Sequence, residues 1–245
     1  MKIEGRNPVI ELLRSNREIS KILMEDGINI DEKVAEILMR ATNRKIKIDR
    51  VGKKKLDKLS TSRTHQGVIA LAEITFPKLS SIIEINNIHH LPNNFIYIRE
   101  ALYEHNIGAI ARSAEAAGFK SIIIPPKVDI SAQTFRVSMG ALANLKIIKE
   151  SLFTAIKSCK EAGIKVVGIE VTTDKYYYDE NLTGDTLLII GGEDHPLSTP
   201  VLDQCDTVVK IPMHGKINSL NMSVACSVVL FEKLRQEVVL KAKTQ

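Results

Sequence analysis

The sequence predicts an α/β protein whose larger, C-terminal part is built on a mostly parallel sheet. Three observations carry this. From residue 93 onward, short apolar runs of strand length alternate with segments of helical period. One of these runs, 187–190 (LLII), is apolar throughout and reads as a buried strand entering Gly191-Gly192. The stretch 211–225, IPMHGKINSLNMSVA, starts as a strand end, breaks at Pro212, and re-enters a helical run after several small polar residues. Pro212 cannot continue a central strand, and loops of this kind are where α/β proteins place ligand sites.

Taken in order, 4–16 carries a helical stripe of Val9, Ile10, Leu12 and Leu13, with Asn7 and Pro8 suited to its cap and first position. Residues 19–24 read as a strand. The segment 31–42 repeats Val34, Ile37 and Leu38 at helical spacing behind Asp31 as a cap. A short strand at 46–48, a basic helix at 51–59 and a strand at 68–73 complete a small α/β unit of about 70 residues. His65, in the turn before that last strand, reads as a locally bonded turn histidine rather than a catalyst. Residues 74–92 are expected to hold a linker and a turn or two of helix. Its neighbours His89 and His90 point in different directions and make no metal pair.

The larger part is expected to run strand 95–99, helix 106–118 and strand 122–124, stopped by Pro125-Pro126. Ile107, Ile110, Ala111, Ala114 and Ala117 form the packing face of that helix, and Gly118 ends it. Next come 131–143, helical at least in part, strand 145–148, helix 151–162 closed by Gly163, and strand 166–171. Strands at 187–190 and 207–211 precede a closing helix over 219–237.

Composition narrows the class. Of 245 residues, 44% are hydrophobic, enough for a sizeable core. Cys159, Cys205 and Cys226 are far apart, which argues against a disulfide framework and for a reducing compartment. They show no metal spacing with the histidines, and no metal is expected. No apolar run approaches the roughly 20 residues that span a bilayer, and the N-terminus lacks a signal-type apolar core. A cytoplasmic protein without membrane partners is expected. The net charge of +5 is concentrated: residues 1–73 carry 16 Lys/Arg against 11 Asp/Glu, and the rest of the chain is balanced. Within 40–63 there are ten basic and two acidic side chains, with Arg44, Lys45, Lys53, Lys54, Lys55 and Arg63 as the expected phosphate contacts. Such a run also suits a merely solvated face.

Three ordered motifs carry a resemblance. Pro212-Met213, Gly215 and Ser219 to Ala225 (SLNMSVA) resemble the third motif of the SpoU (TrmH) family of RNA ribose 2′-O-methyltransferases. Asn106-Ile107-Gly108-Ala109 with Arg112 and the stretch 114–118 (AEAAG) resembles the first, and Ile190-Gly191-Gly192-Glu193 the second. Three motifs in order are far more specific than any one. The first 70 residues, with His65-Gln66-Gly67-Val68-Ile69-Ala70, resemble the ribosomal-protein-L30e-like domain of the branch that includes 23S rRNA guanosine methyltransferases.

The resemblance implies an L30e-like RNA-binding domain over 1–73, a linker over 74–92 and a SpoU catalytic domain over 93–245. It also implies an α/β knot, a deep trefoil knot at the C-terminal end, which general rules make rare. The activity implied is methyl transfer from S-adenosyl-L-methionine to a ribose 2′-hydroxyl of RNA, a 23S rRNA guanosine leading, by a homodimer formed through the catalytic domain. Gly191, Gly192, Ile211, Met213 and Leu220 are the implied cofactor contacts. Asn106, Arg112, Glu193, Ser219 and Asn221 are the implied catalytic set. A guanidinium stays protonated, so the role expected of Arg112 is to grip a phosphate and stabilise the developing oxyanion.

Two departures stand out. The family often has Asp-Pro shortly before the first-motif asparagine, where this chain has Tyr103, Glu104 and His105. The second motif continues as Asp194-His195-Pro196-Leu197 rather than with small residues. These keep two rivals in play: a tRNA ribose methyltransferase of the same family, and an inert RNA-binding or ribosome assembly factor.

Overall fold

The structure, a computed structural model, describes residues 1–15, 17–60, 64–99, 103–192 and 196–244. In chain order the first elements are β1 (Lys2–Glu4), α1 (Arg6–Arg14), β2 (Ile19–Glu25), α2 (Glu32–Asn43), β3 (Ile48–Val51), α3 (Lys53–Leu59) and β4 (Val68–Ala72). Then follow α4 (Leu79–Ile88), β5 (Asn94–Ile98), α5 (Glu104–Ala116), β6 (Ser121–Ile124), α6 (Ala132–Val137), α7 (Ala141–Asn144) and β7 (Lys146–Lys149). The last are α8 (Leu152–Glu161), β8 (Lys165–Ile169), β9 (Thr186–Ile190), α9 (Thr199–Leu202), β10 (Thr207–Val209) and α10 (Met222–Thr244). They form two compact units, one of Met1–Thr75 with Asp129–Asn144, the other of Phe76–Val128 with Leu145–Gln245.

In the first unit the sheet order is β1-β4-β2-β3, with only the β2–β3 pair parallel. Helix α2 begins where the Asp31 side chain accepts the N–H of Val34, the cap its sequence position announces. The His65 turn is held locally: His65 Nδ1 accepts the N–H of Gly67 at 2.9 Å, and Nε2 lies 2.9 Å from Asp57. Helices α6 and α7 pack on α1. Between them Met139 and Gly140 have φ of 53° and 94°, so the stretch 131–143, expected to be helical at least in part, forms two short helices. A Cβ on Gly140 would stand 2.4 Å from Cβ of Glu11, so only glycine lets this turn lie on α1. Arg17 then clasps α7 through the carbonyls of Ala143 and Leu142.

The second unit is a six-stranded, all-parallel sheet in the order β10-β8-β9-β5-β6-β7. On one face Phe95, Tyr97, Ile123, Ile148, Val166, Leu187 and Ile189 pack with Ala155, Ile156 and Cys159 of α8. Leu79, Ile82 and Ile83 of α4 join the same core, so the turn or two of helix expected within 74–92 is a ten-residue helix with a buried stripe. Alternate residues of the strands, Ile96, Ile98, Leu188 and Ile190, face the other way and are equally buried. Burial on both faces is what an all-parallel sheet requires. It also pushes the Cys159 thiol up to about 12, fitting a small hydrophobe rather than a nucleophile.

The loop from β8 to β9 is anchored by Glu180. Burial opposes its charge, but hydrogen bonds from Lys165, Lys175 and Thr207 prevail and hold its carboxyl down at about 2. Its folded value lies below the unfolded one, so its contribution is present above about pH 4.5 and is lost as pH falls toward 2. Denaturant unfolding followed across that window is expected to show a loss of stability that Glu180→Gln makes shallower. Equal slopes for the two proteins contradict this.

Candidate active site

Every strand of the parallel sheet ends at the same edge, and there the loops after β8, β9 and β10 surround one crevice. Its walls are Ile169, which ends β8, and Val171 beyond it, Ile190, which ends β9, with Gly191 and Gly192 beyond it, and Ile211 and Met213 after β10. The segment leading into α10 closes it with Ser219, Leu220, Met222 and Ala225. The five residues expected at a cofactor, Gly191, Gly192, Ile211, Met213 and Leu220, thus line a single space. The location follows the rule for open α/β sheets, a ligand site outside the carboxyl ends of the strands.

The helix expected from residue 219 begins at Met222, because the Asn221 side chain accepts the N–H of Ser223 at 2.9 Å and caps it. Ser219 and Leu220 remain in the loop and reach the crevice. Asn221 Nδ2 donates to Oδ1 of Asn106 at 3.1 Å, joining the first and third motifs across 115 residues of chain. Asn106, expected to open the helix, lies in the first turn of α5 and is 2% exposed. Arg112, farther along α5, is exposed and makes no ion pair with a described residue. Glu193 and Arg63 lie outside the described residues.

Two polar residues of the crevice escaped the sequence reading. Glu170, at the end of β8, accepts the N–H of Leu197 at 2.7 Å with Oε2 and that of Val171 at 2.8 Å with Oε1. It ties the loop after β9 to the loop after β8. The available signal was a lone carboxylate ending the apolar run 166–169. Lys210 has its Nζ 5.3 Å from the Tyr176 ring centroid and 3.5 Å from Asp174. Nothing about a lysine at a strand end distinguishes it from a solvated one.

Among the basic residues of the first unit, Lys45, Lys53, Lys54 and Lys55 are exposed. Arg44 is not available in the way expected: its guanidinium donates to the carbonyls of Leu12, Leu13, Ser15 and Arg17. It closes the C-terminal end of α1, where carbonyls lack helical partners.

An all-parallel sheet with a crevice at its carboxyl edge has the form of a ligand-binding α/β domain, and the first unit of the same chain carries the excess of basic residues. The comparisons make it specific. The SpoU rRNA methylase family model matches residues 93–231, and the RNA 2′-O ribose methyltransferase substrate-binding model matches 2–76. A TrmH-family tRNA/rRNA methyltransferase of Staphylococcus epidermidis is 32% identical over 246 residues, 99% of this chain and 98% of that one. A crystal structure of an RNA 2′-O ribose methyltransferase superposes with a TM-score of 0.76 and 26% identity, covering 97% of this chain and 89% of that one. The AdoMet complex of the SpoU methyltransferase AviRb from Streptomyces viridochromogenes shares the fold at a TM-score of 0.79 and 23% identity, covering 98% and 91%. The chain belongs to the SpoU (TrmH) family of RNA 2′-O-ribose methyltransferases, and is a transferase.

Glu170→Ala leaves two backbone N–H groups without their carboxylate, and a loss of about 1–3 kcal/mol is expected in denaturant unfolding. Glu170→Gln, which keeps one acceptor oxygen, is expected to lose less.

Proposed function

We propose that this chain transfers the methyl group of S-adenosyl-L-methionine to a ribose 2′-hydroxyl of RNA, with a guanosine of 23S rRNA as the target. The observation that carries this reading is the meeting of the segments near 106, 191, 211 and 220 at one edge of the sheet. The crevice suits the cofactor. Ile190, Ile211, Leu220 and Met222 offer apolar surface for a flat base, and the exposed backbone of the loops offers donors and acceptors for its edge. When bound, S-adenosyl-L-methionine supplies an activated methyl group on a sulfonium. What remains for the protein is alignment and removal of a proton.

In this reading Arg112 grips a phosphate beside the target and stabilises the oxyanion that forms as the hydroxyl proton leaves for water. Asn106 and Asn221 orient the ribose, Ser219 braces the loop, and Glu193 is a positioning carboxylate. Residues 1–73 deliver the RNA, with Lys45, Lys53, Lys54, Lys55 and Arg63 on phosphates. The rRNA choice is supported by the SpoU rRNA methylase match over 93–231 and by the resemblance of the His65-Gln66-Gly67 stretch to the rRNA branch of the family.

We place the enzyme in the cytoplasm as a homodimer through the catalytic domain, with the trefoil knot of its family. Support for the dimer is a stripe on α10: Val224, Phe231 and Val238, seven residues apart, are 48%, 46% and 56% exposed.

Transfer of labelled methyl groups to deproteinised total RNA, followed by mapping of the modified ribose, tests the substrate. Label in 23S rRNA is expected, and label confined to tRNA overturns the rRNA choice. Arg112→Ala is expected to abolish transfer while leaving cofactor affinity within about twofold. Full turnover by that variant refutes the role of Arg112. Replacing Lys53, Lys54 and Lys55 by Glu is expected to weaken RNA binding and to flatten its log–log salt dependence by about 2–3. An unchanged salt slope removes α3 from the RNA face.

A further inference from the structure

Glu170 is the one carboxylate among the described residues that line the crevice. It follows the last residue of β8 and is only partly buried. Its carboxylate is pinned at both oxygens: Oε1 accepts the N–H of Val171 at 2.8 Å, and Oε2 accepts the N–H of Leu197 at 2.7 Å. One donor lies in the loop after β8 and the other in the loop after β9, so the carboxylate cannot turn without giving up a hydrogen bond. A Cβ on Gly191 would stand 3.6 Å from Oε2, which puts the carboxylate beside the glycine pair of the crevice wall. A carboxylate offers about four lone-pair directions. The two backbone N–H groups take two of them, and one acceptor direction is left on each oxygen. Two acceptors on one fixed group match two neighbouring hydroxyls.

The strand order says which part of the cofactor comes to them. In the reading above, the base lies against Ile211 and Leu220, which follow β10, and the methyl group must be delivered toward Asn106, which follows β5. Strands β8 and β9 lie between β10 and β5. The ribose joins the base to the methyl-bearing sulfur, so it crosses that interval, where Glu170 and Gly191 stand. The charge suits this place too. A carboxylate set against the sulfur would stabilise the sulfonium more than a transition state in which that charge is vanishing. Set against the ribose, it binds the donor without that penalty.

We propose that Glu170 is a specificity-determining cofactor contact, its two carboxylate oxygens accepting the 2′- and 3′-hydroxyls of the S-adenosyl-L-methionine ribose. This rests on the methyltransferase reading above. A carboxylate on a ribose hydroxyl recurs where α/β sheets bind nucleotides at the carboxyl ends of their strands. Here the same carboxylate also clasps two loops of the crevice, so the walls of the site and the sugar that fills it share one anchor. The site selects ribonucleosides and rejects deoxynucleosides, whose missing hydroxyl leaves an acceptor of a partly buried anion unpaired.

The test titrates the full chain calorimetrically with S-adenosylhomocysteine and with its 2′-deoxy and 3′-deoxy counterparts. The wild type is expected to bind each deoxy compound about ten- to a hundredfold more weakly than the parent. In Glu170→Ala the three compounds are expected to bind within about twofold of one another. Glu170→Gln, which keeps one acceptor oxygen, is expected to discriminate less than the wild type, and it carries the comparison alone if the alanine variant does not fold. A structural role alone would weaken all three compounds by the same factor, and that result overturns the inference. So does a wild type that binds parent and deoxy compounds alike, a comparison that needs no variant. Binding without discrimination removes only the role of Glu170. A wild type that binds neither S-adenosylhomocysteine nor S-adenosylmethionine refutes the methyltransferase reading and this inference with it.

Discussion

All six strands of the larger sheet run the same way, and the sheet is buried on both faces. Those two constraints organise the rest of the second unit. Parallel neighbours cannot be joined by a tight turn, so each connection must return the chain to the edge where the strands start. Every strand therefore delivers its C-terminus to one edge, and the returning segments collect there. The sequence runs outward through β5, β6 and β7, then resumes on the other side with β8, β9 and β10. Strands β5 and β9 meet at the point where the order reverses, and the crevice opens beside β9 and the two strands beyond it. The position of the site is a consequence of topology, while its chemistry comes from what the loops carry.

What the loops carry is sparse. Apolar side chains line most of the crevice, Glu170 holds two loops together, and the conspicuous polar contact is one amide on another. Such a surface suits a reaction whose leaving group is activated before it arrives. Positive charge disappears as a sulfonium loses its methyl group, so the protein gains more from alignment than from a strong local field. Exposed positive charge is concentrated in the first unit, on the lysines of α3 and at Lys45.

Most of this architecture could be read from the sequence. The strands at β5, β6, β8 and β9 have unmistakable apolar runs, and Asp31 marked the start of α2 as it should. What was not legible has identifiable causes. The partly helical stretch 131–143 breaks where Met139 and Gly140 adopt positive φ, and methionine gives no warning of the place. Residues 74–92 looked like a linker because Pro77 and paired asparagines surround a short apolar run. Only the core shows that Leu79, Ile82 and Ile83 are one buried stripe. The inclusion of 129–144 in the first unit depends on the glycine contact with Glu11 and on Arg17, both remote in sequence. The five crevice residues and the asparagine pair were legible only because three motifs occur in family order. Arg44 shows the limit of composition: its charge counted toward a nucleic-acid face, yet its guanidinium closes a helix.

The central claim is that the crevice beside β9 holds a methyl donor, and calorimetric titration of the full chain with S-adenosyl-L-methionine tests it most directly. Saturable binding of one molecule per chain, weakened by a bulky side chain at Gly191 but not by one at the exposed Lys58, is the result this account predicts. Absence of binding heat, or binding unaffected by filling the crevice at Gly191, would contradict it.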